Sequence, residues 1–192
     1  MNIATLTLNP VLDKNSSAEL VEPEKKIRCN IPVYAPGGGG INVSRAMKKL
    51  GGDSQAYFLA GGAKGQQIES LLKNEGINFH RIETHMDTRE NLTVYEEQTD
   101  KLYRFGMPGR EISENHWKEA LNLVSSIDPP PDYLVASGSL PPGAPDDFYR
   151  QLAAMAKEKS IRMVLDTSGT PLGLALEEGV YLAKPNLREL SG

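Results

Sequence analysis

The sequence is poor in cysteine, in histidine and in long apolar runs, and each shortage argues against a class of protein. Cys29 is the single cysteine among 192 residues, so no disulfide can form within the chain. The three histidines, His80, His85 and His116, are scattered along the chain. Surface or core positions explain them better than metal ligation, because neither they nor Cys29 show the spacing of a metal site. No apolar stretch approaches the length needed to span a bilayer.

The chain also lacks an excess of positive charge, with 21 lysines and arginines against 25 acidic residues. The formal net charge is -4 and no large lysine or arginine cluster occurs, which argues against a general nucleic-acid-binding role. The first residues, MNIATLTLNP, lack the basic segment and apolar run of a signal peptide. Together with the single cysteine, these features predict a cytoplasmic protein that binds neither nucleic acid nor membrane. The length predicts one domain, or one domain with an appendage.

Glycine, by contrast, is concentrated in one place, the four consecutive residues 37–40. Such a run lets the backbone lie against a ligand with its N–H groups free. The apolar spacing after it predicts a helix that ends at Gly51. Its buried face is expected to comprise Val43, Ala46, Met47 and Leu50. A glycine loop leading into a helix N-terminus favours polar or anionic ligands, with a flexible turn as the simpler alternative.

Known nucleotide-binding loops do not match this stretch. No Lys-Ser or Lys-Thr pair follows the glycines, and Asn42 or Val43 stands where the G-x-G-x-x-G pattern needs its last glycine. Asn42 favours ligand binding over a flexible turn, because its side chain can both donate and accept hydrogen bonds in the first helical turn.

The N-terminal residues predict a buried strand followed by a candidate ligand residue. Residues 3–8 alternate and end at Asn9-Pro10, and Asp13 lies just past the predicted strand. Open α/β sheets bind ligands beyond the carboxyl ends of their strands, so Asp13 could accept hydrogen bonds from ligand hydroxyls. A capping or turn role is equally compatible. Residues 14–35 are polar and irregular, with short extended pieces around Ile27 and residues 31–33, and predict an excursion from the main domain.

A β-hairpin is predicted over residues 91–97 and 101–105, two β-rich runs joined by Gln98-Thr99-Asp100. With the excursion at residues 14–35, this hairpin could form a small antiparallel sheet separate from the main one. Such a sheet must cover its second face, either over a ligand or against a partner chain.

Strands and helices alternate through the rest of the chain, which predicts a parallel sheet with helices on its faces. Polar residues fall where the strands end, namely Ser137, Ser139, Asp166, Lys184, Asn186 and Glu189. Lysine, amide and carboxylate groups at residues 184–189 form a plausible phosphate and Mg²⁺ environment. Ordinary capping of a surface helix is the alternative.

Six stretches together resemble one family. They are TLNPVLD, PGGGGINVSRAMKKLGG, TREN, SGSLPPG, the turn at residues 166–169, and KPNLREL. In this combination and order, from Asn2 to Leu190, they resemble the ribokinase-like carbohydrate kinases of the pfkB family. GGGG followed by INVSRA is most similar to the ATP-dependent 6-phosphofructokinase branch. The 1-phosphofructokinase and tagatose-6-phosphate kinase branches usually carry a lysine inside the glycine loop.

The resemblance implies a three-layer α/β/α domain with a small β lid that closes over a sugar and forms the interface of a homodimer. On this basis residues 1–13, 36–87 and 107–192 belong to the α/β core, and residues 14–35 and 88–106 to the lid. The resemblance also implies that the chain is an N-terminal portion of such a kinase, with the C-terminal part of the fold absent. The family's catalytic base, the aspartate of a Gly-Ala-Gly-Asp segment, would lie further along.

Site residues follow from the resemblance by motif. Sugar binding is implied for Asp13, Gly38, Gly39 and Asn42. The substrate's phosphate is assigned to Arg89, with Ser139 nearby and Arg28 reaching from the lid into the partner subunit's site. An arginine suits that role because its planar fork bonds phosphate oxygens in pairs. The transferred phosphoryl group is assigned to Lys184, the nucleotide to Lys184 and Asn186, and the Mg²⁺ shell to Asn186 and Glu189.

The function implied by the resemblance is transfer of the γ-phosphate of MgATP to the 1-hydroxyl of fructose 6-phosphate, a step of glycolysis. The 192-residue chain alone is expected to be inactive, because it lacks the base and the anion hole on which phosphoryl transfer depends. Two alternatives stay open. The protein could be a 1-phosphofructokinase or tagatose-6-phosphate kinase, or this chain alone could be a non-catalytic module that binds sugar phosphate or dimerises.

Overall fold

Two β-sheets organise the structure, a computed structural model that describes residues 1–184. The strands are β1 (Ile3–Thr7), β2 (Val11–Ala18), β3 (Val33–Gly37), β4 (Gln55–Ala60), β5 (Asn78–Glu83), β6 (Arg89–Glu96), β7 (Lys101–Phe105), β8 (Tyr133–Ser137), β9 (Arg162–Asp166) and β10 (Leu182–Ala183). The helices are α1 (Gly39–Lys49), α2 (Gly62–Asn74), α3 (Glu114–Ser125), α4 (Phe148–Glu158) and α5 (Gly169–Glu178). The alternation of strand and helix confirms the predicted α/β class.

The larger sheet has six strands in the order β10-β9-β8-β1-β4-β5. Each neighbouring pair in this described sheet is parallel, with Thr5 of β1 set between Ala56 of β4 and Val135 of β8. A parallel sheet needs apolar strands because helices cover both faces. In agreement, β1 is buried from Ala4 to its end. The predicted parallel sheet is confirmed.

Helices cover both faces of this sheet, which makes three layers. Neighbouring residues of β4 face opposite ways, so Phe58 packs with Ile41 of α1 and Ile68 of α2. On the opposite face, Leu59 belongs to a larger cluster that includes residues of α3, α4 and α5, such as Leu152. The three-layer α/β/α arrangement is therefore confirmed. Within residues 1–184, the structure shows no helix with the length and apolar character required to cross a bilayer.

The smaller sheet has the order β3-β2-β6-β7. Its central strands β2 and β6 are parallel, and each pairs with its outer neighbour in antiparallel fashion. The predicted hairpin is confirmed as β6 and β7. The interpretation of residues 14–35 was wrong in detail, because β2 runs on to Ala18 and Ile27 lies outside any strand. Asp13 lies inside β2, paired with Asn91, instead of directly after β1.

Helix α1 buries a different face from the one predicted. Gly40, Ile41 and Ser44 are its buried residues, whereas Leu50 is 88% exposed. The reason is that the N-terminal half of the helix packs on the strand ends, where Ser44 Oγ hydrogen-bonds Thr5 Oγ1 at 2.9 Å. The buried face of α1 is therefore partly polar, unlike the apolar face that the sequence spacing predicted.

Candidate active site

A cleft of about 450 Å³ opens between the smaller sheet and the start of α1. Asp13, Asn91 and Arg104 line it from β2, β6 and β7, and Asn42 lines it from α1. These residues are far apart in sequence, and the pairing of β2 with β6 brings them together. With Asn15 of β2, the cleft therefore presents one carboxylate, three amides and one guanidinium to a ligand, a set suited to hydroxyl and anionic groups.

Asp13 is the acidic group of the cleft. The Asn91 side chain donates to it, with 3.4 Å between Nδ2 and Oδ1. Burial raises the pKa of the Asp13 carboxyl above its ordinary value, while the Asn91 hydrogen bond and the positive charge of Arg89 oppose that rise. A half-buried carboxylate with free acceptor capacity is well suited to bind ligand hydroxyls.

Asn91 links this carboxylate to the end of the hairpin. Its amide oxygen accepts the Met107 N–H at 2.9 Å while its amide nitrogen donates to Asp13. Because both ends of the amide are engaged, its orientation is fixed. Asn91 therefore holds the Asp13 carboxylate in place and connects it to the segment that leaves β7.

Arg89 lies beside the cleft, in contact with two loops. It donates through Nη2 to the Asn9 carbonyl at 3.1 Å, through Nη1 to the Met107 carbonyl at 3.1 Å, and through Nε to the Pro10 carbonyl at 3.4 Å. Burial lowers the pKa of its guanidinium, and the Asp13 charge partly offsets that effect. Arg89 thus joins the β1–β2 connection to the residues after β7, with two of its five N–H groups left for other partners.

The glycine run fits tightly against the ends of β1 and β8. Gly38 has φ +117 and precedes α1, and a Cβ there would lie 2.7 Å from Thr7 Cγ2. A Cβ on Gly39 would lie 2.7 Å from the Ser137 backbone carbon. The Ile41 N–H in the first turn donates to Thr7 Oγ1 at 3.0 Å. The glycines are therefore required so that the start of α1 can approach the strand ends.

Ser139 connects to this arrangement through Asn9. Asn9 Nδ2 donates to Ser139 Oγ at 3.2 Å, and the Asn9 carbonyl accepts from Arg89. This link through Asn9 is compatible with the prediction that Ser139 and Arg89 bind the same phosphate.

A second polar group lies at the ends of β8, β9 and β10. Ser137 Oγ donates to Asp166 Oδ2 at 3.1 Å, and Lys184 Nζ lies 4.0 Å from Asp166 Oδ1. The buried Tyr149 hydroxyl donates to the Gly138 carbonyl at 2.8 Å, and burial raises the pKa of this phenol. Lys184 is exposed and presents its ammonium at the edge of the sheet. Asn186 and Glu189 lie outside the described residues.

Arg28 lies in the exposed segment between β2 and β3. It does not line the cleft of its own chain. Within residues 1–184, no group of three His, Cys, Asp or Glu residues could hold a metal ion.

Comparison with known proteins shows to which family the chain belongs. The model of the pfkB family of carbohydrate kinases matches residues 6–192. The chain belongs to this family. Two pfkB relatives are named ATP-dependent 6-phosphofructokinase isozyme 2. The Mycobacterium tuberculosis protein is 43% identical over 188 residues, covering 98% of this chain and 55% of the relative. The Escherichia coli protein is 43% identical over 192 residues, covering 100% and 62%.

A solved pfkB structure has the same fold. The crystal structure of phosphofructokinase-2 from Escherichia coli in complex with fructose-6-phosphate matches with a TM-score of 0.94 and 43% identity, covering 99% of this chain and 63% of that chain. The chain therefore spans 55% to 62% of the length of the two relatives above. Relatives named 1-phosphofructokinase and tagatose-6-phosphate kinase are 32% to 34% identical to it.

The sequence motifs of this pfkB chain located part of the cleft. The structure places Asp13 and Asn42 in the cleft, with Gly37 of the glycine run next to the Asp13 carboxylate, and places Lys184 at the neighbouring strand ends. Two cleft residues, Asn91 and Arg104, were not among the predicted site residues. The alternation of β6 and β7 puts both on the Asp13 side of the smaller sheet, but that side is identified only once the β2–β6 register is known.

Proposed function

We propose that the protein is an ATP-dependent sugar-phosphate kinase that transfers the γ-phosphate of MgATP to the 1-hydroxyl of fructose 6-phosphate, as a step of glycolysis. Residues 1–184 supply the sugar side of this site. The observation that carries the proposal is the cleft that Asp13, Asn42 and Asn91 line, with Gly37 of the glycine run next to Asp13. Membership of the pfkB family and the names of the 43% identical relatives support the choice of substrate.

In this proposal Asp13 binds the hydroxyls of the sugar, and Asn42 with the backbone of Gly38 and Gly39 lines the opposite wall. The Ile41 N–H donates to Thr7 Oγ1, and the N–H groups of Gly39 and Gly40 are proposed to face the sugar, since a helix N-terminus favours electron-rich oxygens. Asn91 keeps the carboxylate oriented. Arg89 binds the phosphate through the N–H groups that the three carbonyls do not use, with Ser139 beside it.

The phosphoryl donor is proposed to bind at the ends of β9 and β10. When bound, MgATP supplies the transferred phosphoryl group and the metal that neutralises its charge. Lys184 provides a cation there, and its exposed ammonium suits a phosphate oxygen better than the weak contact with Asp166 at 4.0 Å. The proposed Mg²⁺ and nucleotide residues Asn186 and Glu189 lie outside the described residues.

A homodimer formed through the smaller sheet is also proposed. The side of this sheet that carries Asp13 continues away from the cleft as an apolar patch. This lid patch consists of Ile31, Val33, Tyr95 and Leu102, with exposures of 93%, 69%, 40% and 51%. A second copy covering it would bring Arg28 close to the partner's cleft. The proposed compartment is the cytoplasm, where the exposed thiol of Cys29 stays reduced.

Binding of sugar phosphates to the purified chain tests the sugar site. Isothermal titration should show tighter binding of fructose 6-phosphate than of fructose 1-phosphate or tagatose 6-phosphate. Asp13→Asn should weaken fructose 6-phosphate binding by about tenfold or more, because a charged hydrogen bond to ligand hydroxyls is lost. Asp146→Asn removes the same charge from an exposed position outside the cleft and should leave binding unchanged. Equal affinity of wild type and Asp13→Asn for fructose 6-phosphate would contradict the proposal that Asp13 binds the sugar.

Two alternatives predict different results. Preference for fructose 1-phosphate or tagatose 6-phosphate would assign the protein to a neighbouring sugar-phosphate kinase activity. Binding of fructose 6-phosphate without any binding of MgATP would support a non-catalytic sugar-phosphate module for this chain. A coupled assay of ADP release with MgATP and each sugar phosphate measures phosphoryl transfer itself. Turnover by this chain would overturn the expectation that it is inactive alone, and a preference for fructose 6-phosphate in that turnover would support the proposed substrate.

A further inference from the structure

The loop that follows β8 is held by hydrogen bonds to Gly138. This residue has φ +115, and its N–H donates to the Asp166 carbonyl at 2.9 Å. Its own carbonyl accepts two hydroxyls, from Tyr149 of α4 at 2.8 Å and from Thr167, directly after β9, at 3.1 Å. Because a carbonyl oxygen has two lone pairs, these hydroxyls fill its acceptor capacity. The direction of the Gly138 carbonyl is therefore fixed from two different elements.

Both hydroxyl donors are buried. Tyr149 is 0% exposed and Thr167 is 8% exposed, so solvent has little access to the two hydrogen bonds. Burial raises the pKa of the Tyr149 phenol, which keeps the hydroxyl protonated and able to donate. Within residues 1–184, Gly138 alone presents one carbonyl to two side-chain hydroxyls.

The Gly138 carbonyl also sets the direction of the next N–H group. The peptide bond to Ser139 is trans, and in a planar trans peptide the N–H points opposite to the C=O. The Ser139 N–H therefore points away from Tyr149 and Thr167. Ser139 is exposed, and within residues 1–184 its N–H donates to no protein acceptor. The loop thus presents a donor of fixed direction that is free for a ligand.

This donor lies beside the proposed phosphate position. Ser139 Oγ accepts from Asn9 Nδ2 at 3.2 Å, and the Asn9 carbonyl accepts from Arg89 at 3.1 Å. On its other side the loop meets the start of α1, since a Cβ on Gly138 would lie 3.7 Å from the Gly39 nitrogen. The loop therefore connects Arg89 with the glycine run.

We propose that Tyr149 and Thr167 are positioning residues, which orient the Ser139 N–H so that it donates to the phosphate of the sugar phosphate. This inference rests on the proposed function, since it concerns the phosphate that Arg89 and Ser139 are proposed to bind. Neither hydroxyl touches the ligand, because both act through the Gly138 carbonyl. An N–H group that is already oriented loses little freedom on binding, so its hydrogen bond to an anionic oxygen contributes more to affinity.

Binding of fructose 6-phosphate and of fructose, which lacks the phosphate, tests the inference. Isothermal titration and ligand-observed NMR measure both affinities. Tyr149→Phe and Thr167→Val each remove one hydroxyl with little change of shape, and each should weaken fructose 6-phosphate binding by about three- to tenfold, with fructose binding unchanged. Thr167→Ser keeps a hydroxyl and should bind as wild type does. Tyr133→Phe removes a hydroxyl that accepts from Arg162 at the opposite end of β8 and should leave both affinities unchanged.

The backbone amide signal of Ser139 gives a second readout. In wild type, fructose 6-phosphate should move the amide proton signal downfield, as expected for an N–H that donates to a phosphate, and fructose should not. In Tyr149→Phe this shift should be smaller at saturating ligand. A purely structural role of Tyr149 would lower the unfolding temperature and leave the shift unchanged.

The remaining outcomes separate the inference from the proposed function. If folded Tyr149→Phe and Thr167→Val bind fructose 6-phosphate as tightly as wild type, the inference is wrong and the proposed function still stands. If both ligands lose affinity equally, the hydroxyls support the fold of the loop instead of a phosphate contact, which also overturns the inference. If Tyr149→Phe does not fold, Thr167→Val decides by the same criteria. If wild type does not bind fructose 6-phosphate more tightly than fructose, the proposed function fails together with the inference.

Discussion

Replacing Gly38 by alanine would add a steric clash to the backbone strain of its positive φ, so its effect on stability tests how closely the glycine run packs. In Gly38→Ala the new methyl group would lie 2.7 Å from Thr7 Cγ2 and 3.2 Å from the Pro10 Cα, at φ +117. We expect a loss of about 2–4 kcal/mol in the free energy of unfolding, measured by urea denaturation.

Gly51→Ala is the matched control for this prediction. Gly51 also has a positive φ, +83, but a Cβ there has nothing within 4 Å. Strain alone should lower the free energy of unfolding by about 1 kcal/mol. Equal losses in the two variants would show that the fit of Gly38 against the strand ends contributes nothing.

Asp13 is expected to make stability depend on pH. Burial raises the pKa of its carboxyl above 3.8, so just above that pH the native state holds a proton that the unfolded chain has lost. The contribution of Asp13 to stability therefore falls as the pH rises through its native pKa, and this contribution is largest below that window. Asp13→Asn keeps an acceptor for the Asn91 amide and has no charge to bury.

Urea denaturation of wild type and Asp13→Asn at several pH values measures this effect. The difference in free energy of unfolding should grow in favour of Asp13→Asn as the pH rises through the window above 3.8, and then level off at higher pH. A difference that does not change with pH would contradict the raised pKa.

Among the structural elements, the segment between β2 and β3 is held to the hairpin by Glu96. This residue is 2% exposed, and its carboxylate accepts the Val21 N–H at 2.8 Å, the Tyr103 hydroxyl at 3.2 Å and the Thr99 hydroxyl. In Glu96→Ala these donors lose their acceptor. We expect faster amide hydrogen exchange at residues 19–32, with exchange in β1 and β8 unchanged. Glu111→Ala, a substitution at an exposed position, should change amide exchange in none of these segments.

Local patterns predicted some elements well and others poorly. The β6–β7 hairpin was recognised because two β-rich runs flank a polar turn. β2 has the sequence VLDKNSSA, which is too polar to predict a strand; pairing with β3 and β6 on both sides makes it one. The buried face of α1 was predicted wrongly, since the helix contacts the sheet through its glycine-rich start and through Ser44.

The same limit applies to the site. Asp13, Asn42 and the glycine run lie in motifs that can be recognised one at a time. Arg104 carries no motif of its own, and its approach to Asp13 depends on two strand pairings, β2 with β6 and β6 with β7. Side chains that a register brings together are not visible in the sequence until that register is known.

For the whole molecule, the lid patch is the surface on which the proposed dimer depends. Val33→Glu places a charge where Val33 is 69% exposed, and it should convert the dimer to a monomer in size-exclusion chromatography with light scattering. Leu50→Glu makes the same change at the end of α1, where Leu50 is 88% exposed, and it should leave the dimer intact. A dimer that persists in Val33→Glu would show that the lid patch is not the interface.

The pairing of β2 with β6 also bears on the order in which the chain folds. Asp13 and Asn91 are 78 positions apart, and α1, β4, α2 and β5 between them belong to the larger sheet and its helices. Closing so long a loop is costly unless the intervening chain is already compact. We expect the β2–β3 and β6–β7 hairpins to form locally. They should pair with each other only after the intervening segment from α1 to β5 has folded. The ligand cleft would then be among the last parts of the molecule to be completed.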